Sequence, residues 1–283
     1  MKEYGLLFSD GHNLKMMNFN EKRIVCLENV EGWTYDAEVH NGDVYYVCNL
    51  LWGRYEIRRL MERGKKYIRS QYISEVLSLE DRIVDVGLYG ICDTESGEMI
   101  IPMEEMKREG IYFINTIFRY RKEIAVGVTY ISHRKYKDHS CGIVLVDLEK
   151  GKIGEEIIHY DTNLYSLKNE QRWQARMLNE KEIVSCVYRK HLDIGGKKIE
   201  GTEVEKNGMI WRITPTRDVV WYSGYGLGGI KWFNLTANSG GSIMDNSIHQ
   251  SSIFPDWIPA LKSISKEVWD RLVPKAVEYA LCN

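Results

Sequence analysis

One hairpin recurs along this chain at a nearly constant spacing, and this repeat limits the possible folds more than any other feature. In each copy a polar turn precedes an apolar strand, and the strands begin at Gly5, Val44, Ile83, Ile124, Ile183 and Val219. The successive intervals are 39, 39, 41, 59 and 36 residues. A period of about 40 residues with several short strands per unit is typical of a β-propeller.

A second hairpin follows the first in the same phase. Residues 93–99 align with residues 147–153, and each copy has aspartate at the strand end and glycine in the turn. Two hairpins per repeat give four strands, which we name A to D in order. The repeat therefore predicts an all-β fold, a β-propeller of six blades, with five or seven blades as alternatives.

The two ends of the chain are expected to pair. Because the sequence begins at a strand B, strand A of the first blade must come from the C-terminal part, and residues 248–254 are the candidate. Such pairing would close the ring and remove its open edges. We assign residues 1–258 to the propeller.

The pattern changes after Pro259. Ser265 is a good N-cap, Val268 and Leu272 recur at helical spacing, and Pro274 interrupts the run. Residues 259–283 are therefore predicted to form a short helical tail. It either packs on the propeller edge or serves as a docking helix for a partner.

Charge and composition exclude several classes of function. A formal net charge of -2 over 283 residues argues against nucleic-acid binding through bulk charge, although a local basic face remains possible. No apolar run is long enough to span a membrane, and the N-terminus lacks the features of a signal peptide. The six cysteines show no C-x-x-C spacing, which predicts buried thiols without zinc. We expect a cytoplasmic protein, or part of a particle assembled inside the cell.

The candidate site lies in the B–C connections, which would share one face of a propeller. These connections are longer than the opposite turns and are enriched in histidine and aromatic residues, the usual components of ligand sites on loops. The predicted binding residues for a ligand or partner are His12, Trp52, Arg54, His133, Arg134, Tyr136, His139, Arg189, His191 and Tyr225.

Other chemistry has weaker support. Residues 132–139 contain two histidines and an aspartate, but a loop enforces no ligand geometry, so no metal or other cofactor is predicted. The glycine cluster at 224–229 joins two strands and lacks the helix N-terminus of a phosphate cradle. Four acids, Asp10, Asp36, Asp161 and Asp256, are candidates for a pair of catalytic carboxylates, whose separation in space decides their role.

The leading hypothesis is a non-enzymatic binding or assembly module that uses the loop-rich face to hold a protein, or an anionic or sugar ligand. The alternative is a carbohydrate-active hydrolase with carboxylates in the central pocket. A third possibility is a structural component of a larger assembly, such as a virion or secretion apparatus, with the tail as its dock. Architecture alone does not decide among them.

Overall fold

The computed structural model is an all-β structure with two short helices among its described residues. It describes residues 4–9, 13–18, 20–21, 23, 24–30, 32–50, 54–61, 64–70, 73–131, 139–160, 173–177, 183–187, 191–194, 197–199, 208–213, 218–223, 229–234, 239–245, 261–273 and 277–278. For the strands between residues 173 and 245, and for 277–278, the description covers the backbone.

The strands among the described residues form six sheets, which we name A to F in chain order. Sheet A has five strands and each of the other five has four strands that are consecutive in sequence. Sheet A comprises β1 (Gly5–Ser9), β2 (Asn13–Asn18) and β3 (Ile24–Asn29) with two C-terminal strands. Sheet B comprises β4 (Gly32–His40), β5 (Asp43–Leu50), β6 (Arg54–Met61) and β7 (Gly64–Ser70). Sheet C comprises β8 (Ile73–Ser78), β9 (Ile83–Gly87), β10 (Gly90–Asp93) and β11 (Met99–Pro102), followed by helix α1 (Met103–Arg108).

The remaining sheets repeat the same arrangement. Sheet D comprises β12 (Ile111–Tyr120), β13 (Glu123–Ile131), β14 (His139–Asp147) and β15 (Lys152–Tyr160). Sheet E comprises β16 (Trp173–Met177), β17 (Ile183–Val187), β18 (His191–Ile194) and β19 (Lys197–Ile199). Sheet F comprises β20 (Gly208–Ile213), β21 (Asp218–Ser223), β22 (Gly229–Asn234) and β23 (Ser239–Asp245). Strands that are neighbours in sequence pair as antiparallel hairpins in sheets B, D, E and F.

The predicted recurring strand is confirmed in every sheet. The six predicted first residues fall within one residue of the start of β1, β5, β9, β13, β17 and β21. In each of the five four-stranded sheets this strand is the second of four in chain order, which is the position predicted for the recurring strand of the repeat. The turn between β4 and β5 also has the predicted form, since Asn41 and Gly42 have φ values of 51° and 78°. Positive φ at both positions is what an Asn-Gly hairpin turn requires.

The strand that pairs with β1 differs from the expectation. It is β24 (Leu261–Ile264), which lies in the segment predicted to be helical, whereas residues 248–254 lie outside the described residues. The register places Gly5 opposite Ile264 and Phe8 opposite Leu261. A four-residue strand containing a lysine and a serine has too short an alternation to be recognised from sequence.

The predicted helix is shorter than the tail. Helix α2 (Lys266–Leu272) begins after Ser265, whose hydroxyl accepts a hydrogen bond of 3.3 Å from the Val268 amide, so the N-cap prediction is confirmed. It ends just before Pro274. Strand β25 (Val277–Glu278) then pairs with β3, so C-terminal residues provide both outer strands of sheet A.

Internal contacts divide the chain into two compact units. Unit 1 contains residues 1–84 and 248–283, and unit 2 contains residues 85–247. The core of unit 1 includes Leu7, Leu14 and Tyr46 together with Trp269 and Leu272 of α2. In sheet D of unit 2, Phe118, Cys141 and Ile143 belong to a separate apolar cluster. The predicted division between residues 258 and 259 stays a prediction.

Within each unit the first strands of successive sheets are neighbours, where β24 counts as the first strand of sheet A because it precedes β1 in the strand order. In unit 1, β4 lies beside both β24 and β8, and in unit 2, β12 lies beside β16, which lies beside β20. None of the described helices is long and apolar enough to cross a membrane.

Candidate functional site

Three partly exposed polar side chains meet at one end of sheet D. Tyr130 is the penultimate residue of β13, and Glu156 and His159 belong to the second half of β15. Because neighbouring strands are antiparallel, this end is also where the connection at residues 132–138 leaves β13 and enters β14. The predicted binding residues His133, Arg134, Tyr136 and His139 lie in or beside that connection. We refer to Tyr130, Gly142, Glu156 and His159 as the Tyr130 cluster.

A single carboxylate oxygen joins the cluster. The Tyr130 hydroxyl donates to Glu156 Oε1 over 2.8 Å, and His159 Nδ1 lies 2.9 Å from the same oxygen. The rings of Tyr130 and His159 stack, with centroids 5.8 Å apart and planes inclined by 26°. Both rings are therefore held in place by a hydrogen bond and by each other.

Gly142 makes this arrangement possible. It lies on β14 between β13 and β15, opposite Val128 on one side and His159 on the other. A Cβ at this position would overlap the Glu156 carboxylate and would come within 2.9 Å of the Tyr130 ring. Because glycine has no side chain, the side chains of β13 and β15 meet above it, as when an aromatic ring covers a cross-strand glycine.

The Tyr130 hydroxyl stays protonated and the His159 ring lies partly at the surface. Burial, together with the Glu156 carboxylate, raises the pKa of the Tyr130 hydroxyl, which keeps its proton and remains a donor. The His159 side chain is 53% exposed. The cluster thus presents an oriented imidazole nitrogen and aromatic surface beside a basic connection.

Most of the predicted binding residues lie outside the described part of the chain. These are His12, Trp52, His133, Arg134, Tyr136, Arg189 and Tyr225. The backbone places three others: Arg54, His139 and His191 are the first residues of β6, β14 and β18. Each of these strands is the third of its sheet, so all three residues directly follow a connection between the second and third strands, as the repeat predicts.

A second polar group lies among the first strands of unit 1. Asp36 of β4 and Glu75 of β8 are buried, and Lys262 of β24 forms an ion pair of 3.3 Å with Glu38. The Asp36 Oδ2 atom accepts a hydrogen bond of 2.9 Å from the amide of Val76, which ties β8 to β4. This group joins residues from three strands of unit 1.

The environment of Asp36 favours its neutral form. Burial, supported by the charges of Glu75 and Glu38, raises its pKa to about 7 against the opposing effects of Lys262 and the Val76 amide. Asp36 was one of the four candidate catalytic acids, and Asp10, Asp161 and Asp256 lie outside the described residues. Among the described residues, no group of three or more histidine, cysteine, aspartate or glutamate side chains has a metal-binding arrangement.

Sequence reasoning missed Glu156, His159 and the role of Gly142. The signal available was a glycine inside an otherwise apolar, β-branched strand, which often marks a close approach of neighbouring groups. Its partners could not be identified because the β14–β15 register contains two irregularities, between Ile143 and Val144 and between Val144 and Val146. A bulge changes which side chains lie opposite each other.

These observations define the class as an all-β protein built from successive antiparallel sheets. No family model matches the sequence, and no curated protein matches it. Among solved structures, the chain is similar to the computationally designed Ika8 protein, with 12% identity and a TM-score of 0.46, over 93% of this chain and 82% of that one. It is also similar to Saccharomyces cerevisiae Sqt1, with 12% identity and a TM-score of 0.44, over 88% of this chain and 67% of that one. Neither similarity defines a family for this chain.

Proposed function

We propose that this protein is a non-enzymatic binding or assembly module with the architecture of a six-bladed β-propeller. Six sheets of four or more strands, with the first strands of successive sheets adjacent within each unit, support the architecture. In a propeller such strands surround the central channel. The pairing of β24 with β1 supports closure by the two ends of the chain.

The ligand would bind at the end of the sheets that carries the connections between second and third strands. The observation that carries this proposal is the Tyr130 cluster, which places a stacked tyrosine and histidine beside the β13–β14 connection. Side chains fixed on strands next to variable connections are a common basis for recognition. The basic residues Arg134, Lys135 and Lys137 in the connection favour a carboxylate or phosphate.

The proposed ligand is a protein, or an anionic or sugar ligand. Affinity capture from the source organism, together with arrays of glycans and phosphorylated compounds, would distinguish these classes. The variant Arg134→Glu/Arg189→Glu should lose the captured ligand. The matched control is Glu95→Lys/Glu149→Lys, which reverses two charges on exposed turns at the other end of their sheets. Equal loss in both double variants would contradict a site at the proposed end.

A carbohydrate-active hydrolase is the second candidate, and the Asp36 group is the observation that favours it. A carboxyl with a raised pKa beside a second acid is what a general acid of a glycosidase needs. However, Asp36 and Glu75 are only 8% and 5% exposed, so a sugar would need access that these side chains lack in the structure. Hydrolysis of chromogenic glycosides by the wild type, abolished in Asp36→Asn, would favour the enzyme over the binding module.

The larger-assembly hypothesis requires a dock on the tail. Val268, Trp269 and Leu272 of α2 are buried in unit 1, so a partner of α2 would contact Lys266, Glu267 and Asp270, which are exposed. Deleting the tail would also remove part of the core. Surface variants at Glu267 and Asp270 therefore provide the cleaner test, and assembly that survives them would count against a dock on α2.

A further inference from the structure

The most basic part of the chain covers strands β6 and β7 of sheet B and the two residues between them. Residues 54–69 contain seven lysine and arginine residues and two glutamates, which is a formal charge of 7 - 2 = +5. The whole chain has a charge of -2, so the other 267 residues sum to -2 - 5 = -7. This segment includes all of β6 and most of β7. The local positive charge that the composition left open is therefore concentrated in this segment.

The basic outer strand is at the edge of its sheet. In the strand order of sheet B, β7 pairs with β6 and has no second neighbour among the described strands. Its outer edge thus presents backbone N–H and C=O groups that take no part in the described ladders. Lys65, Lys66 and Arg69 lie on β7, which contains no acidic residue.

The last strands of the other four-stranded sheets, which also lie at an edge, differ from β7 in charge or length. Strand β11 is uncharged, β15 contains two glutamates and one lysine, and β23 contains an aspartate and no lysine or arginine. Strand β19 has two lysines but only three residues. Strand β7 combines seven residues of edge with three cations, so its charge is a specific property and not a general feature of these edges.

The neighbouring strand β6 supports the edge through its ladder with β7 and is itself engaged within the fold. Arg58 donates to Glu56 over 2.9 and 3.0 Å, and Arg59 lies 2.7 Å from Asp43, so these two arginines of β6 are engaged within the fold. Tyr67 of β7 pairs with Arg58 across the ladder and is 51% exposed. The edge therefore combines a supported backbone, an exposed aromatic ring and the cations of β7.

We propose that strand β7 binds an acidic, extended segment of a partner protein, which adds as a further strand to sheet B. Backbone hydrogen bonds along the outer edge of β7, which has no second neighbour among the described strands, would provide affinity. Its lysine and arginine residues would select for glutamate or aspartate. The same charges repel a second copy of β7, so the edge resists pairing with itself. Single-stranded nucleic acid would use the charge but not the backbone edge, and it is therefore the weaker match.

Fluorescence anisotropy with labelled ten-residue peptides tests the proposal. The main probe alternates glutamate with valine. A second probe has the same five glutamates but pairs of adjacent prolines, so that donors are missing from both edges of the peptide strand. A third is a ten-nucleotide single-stranded DNA. The variant Lys65→Gln/Lys66→Gln/Arg69→Gln should bind the first peptide about tenfold more weakly than wild type. The control Lys107→Gln/Arg108→Gln/Lys122→Gln removes the same charge from exposed positions and should leave the affinity unchanged.

Strand addition has a second readout. Amide hydrogen exchange of residues 64–70 should slow when the glutamate–valine peptide binds, and thermal unfolding checks that each variant is folded. Absence of binding to wild type, equal binding of the proline peptide, or tighter binding of the DNA would overturn the proposal. A Glu156→Gln/His159→Ala variant should bind the peptide normally, so failure at the Tyr130 cluster and failure at β7 are distinguishable.

Discussion

Arg271 Nη2 lies 2.9 Å from Asp43 Oδ1, and this contact joins helix α2 to the β4–β5 turn across 228 residues of sequence. Arg271 Nη1 also donates to the carbonyl of Asn41 over 3.2 Å. The Asp43 side chain is almost fully buried and has a second partner in Arg59. The turn predicted from the Asn-Gly pair is therefore also the place where the C-terminal segment is anchored in unit 1.

Replacing Arg271 should destabilise the protein. Arg271→Ala removes two hydrogen bonds to the turn, one of them to a buried carboxylate, and we expect a loss of about 1–2 kcal/mol in the free energy of unfolding. Asp270→Ala on the same helix removes only an exposed pair with Lys266 and should cost less than about 0.5 kcal/mol. Chemical denaturation of both variants measures the difference. Equal losses would show that the contact with Asp43 has no special role.

The buried carboxyl of Asp36 should make stability depend on pH. Its pKa in the folded protein is about 7 and the reference value is 3.8, so the folded state holds a proton that the unfolded state has released between these values. Stability should therefore fall as pH rises from about 4 to 7. Asp36→Asn keeps an acceptor for the Val76 amide and removes this titration.

The Asp36→Asn variant should gain stability relative to wild type at pH 8, by an amount on the order of 1–4 kcal/mol, and little at pH 4. Glu98→Gln removes a carboxyl at an exposed position and is the control for the loss of one acidic group. Urea titrations at the two pH values measure the effect. The assignment would be contradicted if the wild type became more stable between pH 4 and 7 and Asp36→Asn showed the same dependence of stability on pH.

Gly142→Ala should disrupt the Tyr130 cluster. The added Cβ would displace the Glu156 carboxylate and the Tyr130 ring, with an expected cost of about 1–3 kcal/mol from overpacking. The cost should be smaller when Glu156→Ala is also present, because the carboxylate no longer occupies the space. A double-mutant cycle measured by thermal unfolding tests this coupling. Strict additivity would mean that Gly142 does not make room for Glu156.

The described thiols should be unreactive in the folded protein. Cys26, Cys48, Cys92 and Cys141 are buried and form no disulfide among the described residues, and burial raises the pKa of Cys48 and of Cys141 to about 12. Since the thiolate is the nucleophile, iodoacetamide at pH 7.5 should leave their peptides unmodified until guanidinium is added. Mass spectrometry of the peptides gives the result directly. Rapid labelling of Cys48 or Cys141 under native conditions would contradict the described packing.

The sequence predicted the repeating strands well because each has a local signal. Val44 follows an Asn-Gly turn, and Ile83 and Ile124 begin short apolar runs after charged turns, so strand starts could be placed within one residue. The buried cysteines followed from the same apolar patterns. These features depend on neighbours in the chain, which the sequence shows directly.

Features that depend on distant residues were not predictable. The pairing of Tyr130 with Glu156 spans 26 residues and depends on bulges in the β14–β15 register. Asp36 could be selected as an acid, but its raised pKa results from burial among β4, β8 and β24, which only the packing shows. Strand β24 is too short to stand out, although it provides the partner of β1.

Hydrogen-exchange mass spectrometry on the protein with its captured ligand tests the central claim most directly. The proposed binding module predicts slower exchange at residues 130–139 and 156–160, around the Tyr130 cluster and the adjoining connection. It predicts no change at the turns of residues 93–99 and 147–152, which lie at the other end of their sheets. Protection confined to those turns, with none around Tyr130, would contradict the account.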